Sequence, residues 1–178
     1  MKKILVTIAI SLTLIATLAG VAYAATGTTD PQVLQDLAKV RQVTAKYHDV
    51  NVALADGYLP TEDCDAIPGI GGMGFHYVKP ALMMDAVVDL TTPEILMYAS
   101  SGNGLKLIGV EYFVGIGAPE APVPNPAPPA PILFGRPFDG PMLGHIPGMP
   151  PHYDLHAWVW QPNPDGIFAA WNPNVTCE

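Results

Sequence analysis

Residues 150–160 read Pro-Pro-His-Tyr-Asp-Leu-His-Ala-Trp-Val-Trp. The two-residue period of a strand puts His152, Asp154 and His156 on one face, with Trp158 and Trp160 continuing it. Imidazoles buried beside indoles need partners for their ring nitrogens, and the choices are a metal, a carboxylate, a backbone carbonyl or trapped water.

Two other strings bring similar groups to strand-like segments. In residues 105–114, LKLIGVEYFV, alternation sets Leu105, Leu107, Gly109, Glu111 and Phe113 on one face and Lys106, Ile108, Val110 and Tyr112 on the other. Glu111 is then a carboxylate in an apolar row, and it needs a cation, a proton or a set of donors to be buried there. His76, in MGFHYVKP (73–80), is an imidazole where an apolar residue would be expected.

Further short segments rich in β-formers occupy 75–78, 86–90, 95–99, 153–161 and 167–171, separated by turn residues, with Ser101-Gly102-Asn103-Gly104 a hairpin signal. Residues 60–74, which hold Cys64 and the glycines of PGIGGMG, read as a loop without a phosphate-binding pattern. Ahead of them, Asp30-Pro31 reads as an N-cap followed by proline at the first helical position. Val33, Leu37, Val40, Val43 or Thr44, Tyr47, Val50 and Leu54 continue as one apolar stripe until Asp56-Gly57 stops it. A single helix over 30–56 would be about 37 Å long. His48 and Asp49, near its end, read as a solvated or capping pair. Residues 117–151 contain twelve prolines and are expected to form a long loop, its first half polyproline-like and its second half, ILFGRPFDGPMLGHIPGM, lying on the sheet.

The expected architecture is α+β: a mostly antiparallel sheet or small barrel, one long N-terminal helix and a long Pro-rich covering loop. Residues 1–24 read as a signal peptide, with Lys2 and Lys3, an apolar run and Ala22-Tyr23-Ala24 before the cleavage point, leaving residues 25–178 as a single domain in the periplasm or outside the cell. Removing that leader leaves six basic against sixteen acidic side chains, a formal charge of minus ten. Such a surface disfavours nucleic acid and anionic membranes, and no membrane insertion is expected after cleavage. Cys64 and Cys177 are expected to pair in an oxidising compartment.

His76, Glu111 and His156 are three strand-borne groups of ligand type, suited to a divalent transition metal such as Zn, Mn, Fe or Cu. His152 is a candidate fourth ligand, but on a straight strand it lies about 13 Å from His156 and reaches the same ion only across a bend or bulge. Asp154 is a candidate for orienting an imidazole from outside the ligand set. In the loop, Met142, His145, Met149 and His152 recur every three or four residues. They read as packing residues or, in a variant of the metal reading, as a copper-binding series. No G-x-S-x-G, H-E-x-x-H or C-x-x-C is present. Trp158, Trp160, Trp171 and the strand tyrosines read as core rather than pocket lining.

Four strings, MGFHYVKP (73–80), PEILMY (93–98), GVEYFV (109–114) and PHYDLHAWVWQPNPDGIFAAWNP (151–173), resemble a group of exported bacterial proteins without an assigned activity. The resemblance runs from about residue 45 to 177. The H-Y-x-x-P and H-Y-D-L-H strings are more weakly similar to a stress-regulated bacterial family of helix-plus-β architecture. Neither resemblance implies a site.

Two functional readings stay open on the sequence. One is an exported metal-binding protein that binds a small molecule or transforms it by hydrolytic or oxidative chemistry. The other is a non-catalytic extracytoplasmic structural or interaction protein in which His76, Glu111, Asp154 and His156 form a buried hydrogen-bond network.

Overall fold

Alternate residues from Gly71 to Tyr77 are buried, as in a strand with one face against a core. The structure, a computed structural model, describes residues 30–177 apart from Asn103. The expected leader, residues 1–24, lies outside the described residues. Six strands form one antiparallel sheet in the order β1-β2-β3-β4-β8-β7. They are β1 (Leu59–Ile67), β2 (Gly71–Val78), β3 (Ile95–Ser101), β4 (Gly104–Gly115), β7 (Asp139–Met142) and β8 (His152–Ala157). A two-stranded ribbon, β5 (Ile132–Leu133) with β6 (Arg136–Pro137), stands apart. The architecture is α+β, but the sheet does not close into a barrel. β1 and the four-residue β7 are its edges, and so short a strand offers little edge to close upon.

Beside the sheet lie α1 (Pro31–Thr44), a 3₁₀ turn (Ala45–His48), α2 (Val50–Ala55) and the single turn α3 (Pro80–Met83). Asp30 caps α1 by accepting the Gln32 N–H at 2.8 Å. The single helix expected over 30–56 is broken at Asp49, whose backbone is extended and whose carboxylate accepts the Asn51 N–H at 2.9 Å, starting α2 afresh. An aspartate side chain that competes for backbone N–H groups starts helices better than it continues them.

Opposed residues of an antiparallel pair share a face, so the register defines two faces. One carries Tyr77, Leu96, Val110, Tyr112 and Leu155, and Tyr98 lies with Phe75 on it. This face shares a core with Val33, Leu37, Val40 and Tyr47 of the helical segment and with Phe134 and Phe138 of the Pro-rich loop, whose second half covers the sheet as expected. The Tyr98 hydroxyl donates to the Tyr47 carbonyl at 2.7 Å, fixing helix to sheet. The other face carries His76, Ile95, Met97, Gly109, Glu111, Phe113, His152, Asp154 and His156.

The strict alternation read along 105–114 fails at one point. Met97 pairs with Gly109 but Tyr98 pairs with Leu107, so Ile108 is an extra residue on β4. This bulge turns Leu107 onto the helix-side face while Gly109, Glu111 and Phe113 keep the other. Residues 60–74 are not a loop but the β1–β2 hairpin, and the strand expected at 86–90 does not form. There the carboxylates of Asp85 and Asp89 accept N–H groups two residues on, from Val87 and Thr91, and local turns win over a strand with no neighbour to pair with. The strand expected at 167–171 is likewise turns, followed by one isolated bridge between Asn172 and Gly72. Among the described residues no helix is long and apolar enough to cross a membrane.

Candidate metal centre

His156 and Glu111 are opposed across β8 and β4, a pairing that brings donors 45 residues apart in the chain onto neighbouring strands. His76 stands on β2, opposite Met97 of β3. It reaches Glu111 over β3, across two strand spacings or about 9.6 Å of backbone. A long imidazole and a long carboxyl span that distance. Two residues before His76, Gly74 has φ +87°, and a Cβ there would lie 2.2 Å from the Tyr98 carbonyl oxygen, so only glycine lets β2 approach β3 at this point.

The three donors are buried, and one ligand atom from each lies within 4.8 Å of the others. His76 Nε2 is 3.2 Å and His156 Nε2 3.7 Å from Glu111 Oε2. A tetrahedral ion with bonds of 2.0–2.1 Å separates its ligands by about 3.3 Å, so a small closure would seat one. The other nitrogen of His76, Nδ1, is 3.1 Å from Oδ2 of Asp65, a half-exposed carboxylate on β1. An imidazole held by a carboxylate at one nitrogen and offering the other is the usual arrangement of a metal-ligating histidine.

Electrostatics at the cluster come from imidazoles and carboxylates. Burial works against a charged His76, but the hydrogen bonds and charges of Asp65 and Glu111 outweigh it and hold its pKa at about 9. Burial likewise works against ionised Glu111, and the charges of His156 and His76 overcome it, keeping the carboxyl below its ordinary range. Both ring nitrogens of His156 are buried without a hydrogen-bond partner among the described residues. Each such nitrogen costs about 1–3 kcal/mol unless something satisfies it. The Trp158 ring stacks beside His156 at 6.4 Å.

His152 does not join this group. It is opposite Gly115, four residue pairs along the ladder from His156–Glu111, and no bend brings the two imidazoles together. Asp154 does not support the cluster either, since its carboxylate lies 3.7 Å from Nε2 of His152. The carboxylate that orients a cluster imidazole is Asp65, hidden from sequence reading because it sits beside Cys64 in what looked like a loop. Trp160 leaves the face as the strand ends at Ala157, and its indole N–H donates to the Thr44 hydroxyl on the helix side. His48 packs edge-on against that indole at 4.3 Å, so the His48–Asp49 pair serves packing and capping.

Glu94 is another buried carboxyl that sequence reading missed. It accepts the Phe113 N–H at 3.1 Å, and burial pushes its pKa up to about 8, so it is largely protonated at neutral pH. Cys64 and Cys177 form a disulfide with a Cα–Cα distance of 5.6 Å, as expected.

Fold and site together define an α+β protein whose open antiparallel sheet carries a buried His–Glu–His group able to hold a metal ion. Comparison with protein-family models, with curated proteins and with solved structures finds no match for this chain.

Proposed function

We propose that this is an exported protein that binds one divalent transition ion through His76, Glu111 and His156. The observation that carries the reading is the unpartnered state of both His156 ring nitrogens beside a buried carboxylate. Two imidazoles and one carboxylate suit zinc, manganese, iron or copper and leave positions free for water or a small molecule, the basis for hydrolytic or oxidative chemistry. The disulfide and the leader-like first 24 residues support export to an oxidising compartment, as does the resemblance to exported bacterial proteins. The competing reading, an inert hydrogen-bond network, draws support from the two short contacts of His76 but leaves His156 unsatisfied.

Elemental analysis of protein purified without an affinity tag tests the proposal. One equivalent of metal should be lost from His76→Ala or Glu111→Ala relative to the wild type, and equal metal content in all three would defeat it. Asp65→Asn keeps every ligand but removes the charge behind His76, so metal affinity should fall roughly 10- to 100-fold. A chelator competition titration reads this directly, and unchanged affinity would remove Asp65 from the site.

A further inference from the structure

His152 is fully buried, and its Nδ1 lies 3.0 Å from the Pro150 carbonyl oxygen. A carbonyl can only accept, so Nδ1 carries a proton, and in the neutral ring Nε2 is a bare lone pair. That Nε2 has no hydrogen-bond partner among the described residues and faces the Asp154 carboxylate at 3.7 Å. Two acceptors facing each other in a buried setting call for a cation between them, which a second ring proton or a metal ion supplies.

The Pro-rich loop brings a second imidazole beside this ring. The ring centre of His145, which is exposed, lies 5.0 Å from that of His152 with the rings nearly perpendicular. A tetrahedral ion with bonds near 2 Å holds two imidazole centres roughly 5 Å apart. The turn carrying His145 is tightly built: the His145 N–H donates to the Met149 sulfur at 3.4 Å, and the Gly148 N–H donates to Glu120 at 3.3 Å. A Cβ on Gly144 would lie 2.1 Å from the Met149 carbonyl oxygen, so the turn closes only with glycine there. Met142 is paired directly with His152 across β7 and β8.

We infer that His152, His145 and Asp154 form a second metal site, and that Met142 and Met149 beside it select copper. Thioethers next to imidazoles favour copper over zinc, whereas the His76–Glu111–His156 group contains no sulfur. The spacing of Met142, His145, Met149 and His152 in the chain is converted by the β7–β8 pairing and the 144–149 turn into one convergent patch.

Titration of chelator-stripped protein, first with one equivalent of Zn(II) and then with Cu(II), followed by calorimetry and electron paramagnetic resonance, tests this. One Cu(II) should bind to the zinc-loaded wild type with coupling to two nitrogens. His145→Ala, at an exposed position, should weaken that copper roughly 100-fold or more and leave zinc in place; His152→Phe should do the same. His76→Ala should lose the zinc and keep the copper. Copper binding unchanged in His145→Ala, or copper that enters only by displacing zinc, overturns the second site. Copper lost in His145→Ala, in a wild type that never takes up zinc, would support this site while defeating the first.

Discussion

Replacing Cys64 and Cys177 together by serine is expected to cost roughly 4–5 kcal/mol and to lower Tm on the order of 10–20 °C, with metal affinity falling in parallel. The bridge closes a loop spanning 113 residues, and the chain-entropy model assigns such a loop that much destabilisation of the unfolded state. The bridge also has a local task. It ties the last described residues to β1, where Asp65 follows Cys64, and alongside it Asn172 bridges Gly72 while Val175 is buried. Releasing the tail frees the strand that carries Asp65, so the contact behind His76 should loosen. Thermal melts and metal titration with and without reductant check both parts, and a melting temperature indifferent to full reduction would sink the expectation.

Metal-free protein should lose about 3 kcal/mol of stability at His76 as pH rises from 6.5 to beyond 9. His76 has its pKa raised to about 9 in the folded chain, against 6.5 for a free histidine. The folded state therefore holds the proton more tightly, and the stability this confers is complete below pH 6.5 and disappears as pH climbs through 9. Glu111 acts in the opposite sense: its depressed pKa contributes stability above about 4.5 that is lost as pH falls through the folded value near 2. Glu94, raised from 4.5 to about 8, lowers stability as pH climbs between those two values, overlapping the His76 window only up to about 8, so the His76 share is read by difference. In urea melts of chelated protein, the gap between wild type and His76→Gln should shrink by about 3 kcal/mol between pH 6 and pH 9.5, and an equal gap at both would refute the assignment. A metal at Nε2 takes the place of the proton, so apparent affinity should rise up to tenfold per pH unit over that window.

Much of the fold was legible along the chain because its signals are local. Runs of β-forming residues between turn signals marked β3, β4 and β8, the Ser-Gly-Asn-Gly turn marked the point where Ser101 pairs with Gly104, and Asp30-Pro31 marked the start of α1. The misreadings were also local in origin. Asp49, Asp85 and Asp89 each bind nearby backbone N–H groups, which breaks a helix or removes a strand that hydrophobic pattern alone would allow. The Ile108 bulge moves Leu105, Lys106 and Leu107 each to the opposite face, a change that needs the partner strand to be seen.

By itself the sequence determined that His76, Glu111, His152, Asp154 and His156 would lie on strands and that two cysteines were available to pair. Which of them meet was decided only by tertiary structure. Strand order places β2, β3, β4 and β8 side by side, and register then puts Glu111 between His76 and His156 while leaving His152 to Asp154 and His145. Order and register are set by burial and hydrogen bonding summed over whole strands far apart in the chain, and no window along the sequence contains that sum.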